Sequence, residues 1–142
     1  MTRISEPQAV VHWEAAAAMV RAAAAHADRA GIKVNIAVCD AGGNLAGFLR
    51  MPGAFLHSID IAIDKAYTAA GFGLPTGAWP EALKSHSQAV QAGIPMRPRM
   101  VCFGGGLPIV HDGVRIGGIG VSGGSEQEDE DCARAGLAAV GL

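Results

Sequence analysis

Three groups of residues in this sequence could carry chemistry. His57 and Lys65 lie eight residues apart, a spacing that puts them on a similar face of a helix. Their neighbours Ile59, Ile61, Ala62 and Ile63 are apolar. A lysine in such surroundings loses hydration, which lowers its pKa and would let it act as a base or grip a carboxylate. The plainer reading is a lysine whose stem covers apolar surface while its ammonium reaches water. For His57 the plainer reading is a solvated histidine at a helix start. Arg50 stands at a strand end beside the Pro52-Gly53 break, where a guanidinium could hold a carboxylate bidentately. An ion pair with Asp40, Asp60 or Asp64 would use it equally well. The run Gly104, Gly105 and Gly106 would expose backbone N–H groups able to hold an anion or an enolate oxygen, unless it is only a turn.

Other signals carry less. Glu126, Glu128, Asp129, Glu130 and Asp131 read as a helix cap with a solvated face. The three cysteines, Cys39, Cys102 and Cys132, are too scattered for a disulfide framework or a zinc knuckle and read as small hydrophobes in a reducing cytoplasm. His12, His26, His86 and His111 lack metal-ligand spacing, so no intrinsic metal site is expected. Gly118 to Gly123 is a literal GxGxxG, but only 19 residues follow it and the helix it opens is acidic. A dinucleotide fold needs a further parallel strand and an acid about 20 residues on, so close packing against the strand is the better explanation.

These residues must be held by a small set of elements. The chain of 142 residues suits one domain. A net charge of −2 with no basic stripe argues against nucleic acid. No long uncharged apolar run or leader pattern appears, so a cytoplasmic protein without membrane contact is expected. An alanine-rich helix over about 6–30 is predicted, capped by Ser5 with Gln8 and ended by Gly31. A hairpin over 32–51 turns through Asp40 to Asn44. Helical spacing covers 55–70, and a short helix 81–84; 85–99 gives no clear pattern. Strands are expected at 100–103, 107–110 and 114–121, the last two joined by Asp112-Gly113, which suits a type I′ turn. A helix over 125–139 opens with the capping box Ser125 and Glu128. Hairpin-linked strands with helices before, between and after them imply a mostly antiparallel sheet covered on both faces, an α/β (α+β) fold.

Several blocks together resemble a known family. They are Val38 to Leu45, Arg50 to Ala54 with Ser58, Lys65 to Ala69, Gly105 to Val110, and Ile116 to Gly124. In this order, over about residues 5–140, they resemble the GlcG/HbpS family, which includes the C-terminal domain of PduO-type proteins. The resemblance implies a profilin-like three-layer α/β/α fold with a five-stranded, mostly antiparallel sheet. It implies homo-oligomers, from dimers to octamers, and haem as the cofactor, with haem degradation proposed for some members and catabolic operons the setting of others. It singles out Asp129, the matched acidic position. Two departures stand out: the family's Glu-Gln-Asp reads Gln127-Glu128-Asp129 here, and its Met-Asp-Gly reads Met51-Pro52-Gly53, losing a carboxylate.

Three functions follow as expectations. In the first, the chain binds or handles haem, with His57, Met51 and His86 as candidate axial ligands. In the second it is a cofactor-independent isomerase, tautomerase or hydratase acting on a small organic acid. There Arg50 and Gly104–Gly106 would bind the ligand, and His57, Lys65 and Asp129 would do the catalysis. In the third it is an assembly module without a small ligand.

Overall fold

The computed structural model describes all 142 residues and sets an antiparallel sheet between two helical layers. In chain order the elements are α1 (Trp13–Arg29), β1 (Asn35–Asp40), β2 (Leu45–Arg50) and α2 (His57–Phe72), then the short helices α3 (Trp79–Leu83) and α4 (Gln88–Gly93). β3 (Gly106–His111), β4 (Val114–Ser122) and α5 (Glu126–Ala139) complete the chain. The strand order is β2-β1-β4-β3, with every neighbouring pair antiparallel. No helix is long and apolar enough to cross a membrane.

Alternation along the strands sorts the core into two unequal halves. Ile36, Val38, Ile119 and Val121 face α1 and α5 and pack with Met19, Ala23, Cys132 and Ala133. Ala37 and Cys39 face the other way, onto Ala62, Ala66 and Ala70 of α2. That second half is built from small residues, so α2 lies very close to the sheet. A Cβ on Gly118 would strike the Ala66 carbonyl and come within 2.6 Å of the Ala70 nitrogen. The glycines read above as a false nucleotide motif therefore serve helix-to-sheet contact.

Three expectations are corrected. The sheet has four strands, not five. Residues 100–103 form no strand, although Val101 is buried. The Thr68 hydroxyl of α2 accepts the Val101 N–H at 3.2 Å and donates to the Arg99 carbonyl at 2.9 Å, binding this segment to the helix. The first helix starts at Trp13 rather than near residue 6. Val11 is buried and its N–H donates to the Ile116 carbonyl of β4 at 3.0 Å, a long-range bond that ties the chain ahead of the helix to the sheet. The cap is His12, whose Nδ1 accepts the Glu14 N–H at 3.1 Å. Finally, α4 lies in the stretch that gave no pattern, capped by Ser87. The Ser125–Glu128 capping box and the Asp112-Gly113 turn, with both φ values positive, form as expected.

Cys39 and Cys132 are free and fully buried, and loss of hydration pushes each thiol up to about 11. Unfolded thiols ionise near 9.0, so between pH 9 and about 11 the unfolded chain releases protons that the folded chain keeps. Stability therefore falls as pH rises through that window, by at most roughly 2–3 kcal/mol per thiol. The double variant Cys39→Ala with Cys132→Ala should lose less melting temperature than wild type between neutral pH and about pH 10.5. An equal loss in both proteins would contradict this assignment.

Candidate functional site

Lys65 is the largest fully buried side chain in the molecule, 1% exposed. It leaves α2 on the sheet-facing side, next to Gly120, whose missing Cβ would lie 2.8 Å from the Lys65 Cβ. The side chain then passes the end of the sheet to the opposite helical layer. There Nζ donates to the Val121 carbonyl at 2.8 Å and to Asp129 Oδ2 of α5 at 3.1 Å. Gly105 makes the passage possible. With φ +127°, a Cβ there would lie 2.5 Å from the Val121 oxygen and 2.6 Å from Nζ. The third Nζ proton has no oxygen acceptor and meets the Phe103 ring, whose centroid is 5.1 Å away.

Asp129 is as well anchored as its partner. It is 3% exposed, and its Oδ1 accepts the Gly124 N–H at 2.9 Å. It sits in the opening turns of α5, where the helix dipole favours negative charge. Burial nevertheless dominates both groups. It pushes the Lys65 ammonium below its ordinary value, with Asp129 pulling back, and lifts the Asp129 carboxyl above its own, with Lys65 pulling back. The pair thus ties the two helical layers together and keeps an amine and a carboxyl in contact away from water.

The other sequence candidates lie elsewhere. His57 is exposed at the first residue of α2, eight positions and thus about 12 Å of helix rise from Lys65, and makes no contact with the pair. Arg50 is exposed and donates from Nη2 to the Ala54 carbonyl at 2.8 Å, closing the loop before α2. None of the three aspartates weighed as its partner holds it: Asp64 pairs with Arg99 at 3.0 Å, and Asp40 caps the turn after β1. In the glycine run, the Gly104 N–H donates to Glu126 Oε1 at 2.7 Å and the Gly106 N–H to Thr76 Oγ1 at 2.8 Å. Two of the three amides read as an anion holder are therefore already engaged. Sequence reasoning missed Phe103 and Thr76, because nothing in local spacing ties either to Lys65 or to the glycines.

Two cavities frame the fold. An open polar one of about 480 Å³ is lined by Gly77, Gly104, Ser125, Glu126, Gln127 and Glu130, at the end of the sheet where Lys65 meets Asp129. An apolar cleft of about 280 Å³ lies at the other end, among Val10, Ala15, Ile116 and Val140, with His12 and His111 as its imidazoles. His12 uses Nδ1 as the α1 cap, so its neutral ring carries the proton on Nε2. His111 Nε2 lies 3.3 Å from Asp112 Oδ2, which leaves Nδ1 for a ligand. His57, Met51 and His86, the sequence candidates for iron, line neither cavity; Met51 is packed in the core, and the two histidines are exposed.

Comparison with known proteins adds to this geometry. The family model described as "Haem degrading protein HbpS-like" matches residues 11–138. An uncharacterised 15.0 kDa protein in the dhaT-dhaS intergenic region of Citrobacter freundii is 35% identical, over 94% of each chain. The corrinoid adenosyltransferase PduO of the same organism is 31% identical, but this chain spans only 41% of its length. Among solved structures, a double mutant of Streptomyces reticuli HbpS superposes with a TM-score of 0.88 at 34% identity, covering 100% of this chain and 96% of that one. The PduOC haem complex gives 0.84 at 30% identity, covering 93% and 96%.

Proposed function

Because this chain belongs to the HbpS-like family, we propose that it binds haem and takes part in haem handling. The observation that carries this reading is the likeness to the PduOC haem complex over nearly the whole chain. The chain's own residues support it at the apolar cleft, where aliphatic walls and an imidazole meet. Val10, Ala15, Ile116 and Val140 would cover porphyrin surface from water. His111 would ligate through Nδ1, with the Asp112 carboxylate 3.3 Å from its Nε2. Bound haem would supply a redox-active iron there. His12 would line the cleft as an N–H donor rather than as a ligand. Self-association would cover Phe55 and Leu56, which are 68% and 72% exposed.

Catalysis on a small organic acid draws less support, because Arg50 and two of the three glycine amides already have intramolecular partners. Haem that binds only the folded chain must raise its stability, by about 2.7 kcal/mol at a hundredfold excess over Kd. A rise in melting temperature that grows with haem concentration in wild type and shrinks in His111→Ala is expected. Identical shifts in His111→Ala would remove His111 from the site, and no shift in either protein would remove haem.

A further inference from the structure

The haem reading makes no use of Lys65, and the surroundings of its ammonium point to a different chemistry. Two of the three Nζ protons go to protein oxygens, the Val121 carbonyl and Asp129 Oδ2. The third meets only the face of the Phe103 ring, and Phe103 as a residue is 46% exposed. On the adjoining side stands Gly105, where any Cβ would press on Nζ. The ring of a part-exposed aromatic side chain thus covers the amine on the side that lacks an oxygen, with a carboxylate 3.1 Å away to take its proton. Gly104, between Phe103 and Gly105, lines the 480 Å³ polar cavity.

We propose that Lys65 is a latent carbonyl-reactive amine gated by Phe103, and that the compound it takes is a small neutral aldehyde. Neutrality follows from Glu126 and Glu130 on the cavity wall, which repel anions. The step balances without a further reactant. Asp129 accepts one proton from the ammonium, and the freed amine attacks the carbonyl carbon. The C–N bond forms, the C–O bond breaks, and the oxygen leaves as water with the two protons the nitrogen loses. Asp129 then returns its proton to the imine nitrogen. Burial, which already weakens the ammonium form, works in the same direction.

The chain has three lysines, Lys33, Lys65 and Lys84, so the product can be assigned by peptide mass. Wild type and Phe103→Ala are incubated with acetaldehyde and cyanoborohydride under conditions where circular dichroism shows the fold intact. Ethylation of Lys65 is expected in wild type, and several-fold faster in Phe103→Ala, with Lys33 and Lys84 labelled alike in both. Phe103→Val, which replaces the ring with a much shorter apolar side chain, is the second opening variant should Phe103→Ala not fold. Labelling confined to Lys33 and Lys84, or a Lys65 rate unchanged by opening the ring, overturns the proposal. Neither outcome bears on haem binding, which the thermal-shift experiment tests separately.

Discussion

Lys65→Met should lower the unfolding free energy by about 3–5 kcal/mol, the range found when one partner of a buried ion pair is removed. Methionine fills much of the same volume, so the loss comes from Asp129, which stays 3% exposed and keeps backbone N–H contacts but no cation. Against a total of roughly 5–15 kcal/mol for a domain, that is a large fraction. The pair also spans the layers, joining α2 to α5 across the end of the sheet, so its loss should loosen both helices. Adding Asp129→Leu to Lys65→Met should recover part of the stability, because no unpaired charge is then left inside. Urea titrations of wild type, the single variant and the double variant measure this directly. A single-variant loss under about 1 kcal/mol would mean that water reaches the pair.

Gly120→Ala should be comparably damaging, for a steric reason. The added methyl would strike the Ala62 carbonyl and lie 2.5 Å from the Ala66 nitrogen, both backbone atoms of α2. It would also press on the Lys65 Cβ at 2.8 Å. Helix backbone cannot rotate aside as a flexible side chain can, so α2 must lift from the sheet. Overpacking alone costs about 1–3 kcal/mol, and displacing the helix weakens the Lys65 contact as well, so a loss of about 3 kcal/mol or more is expected. Gly71→Ala is the internal control: it lies in the same helix, and an added Cβ meets nothing within 4 Å. It should leave the fold intact and raise stability by about 0.5–1 kcal/mol. Equal behaviour of the two variants in thermal melts would contradict the close packing described for α2.

What local sequence could reveal depended on the range of the interactions involved. Ser125 with Glu128 and Asp112 with Gly113 act within one turn, and their residue types predict their geometry. The start of α1 is not legible locally, because the deciding bond joins Val11 to Ile116, far along the chain. Residues 100–103 are β-prone and suggest a fifth strand, yet a hydroxyl on α2 takes the Val101 N–H. Lys65 stood out as a charge among isoleucines, but its partner lies 64 residues away, and only the family match drew attention to Asp129. Arg50 and His57 had the right types for a site and were placed elsewhere by a loop closure and by the length of one helical segment.

Stepwise addition of haem to the purified protein tests the proposed haem binding most directly. A Soret band that shifts and saturates at a fixed ratio of haem to chain is expected, with the saturation lost in His111→Ala and kept in His57→Ala. An absorbance that climbs linearly without saturation, and alike in wild type and both variants, would contradict it.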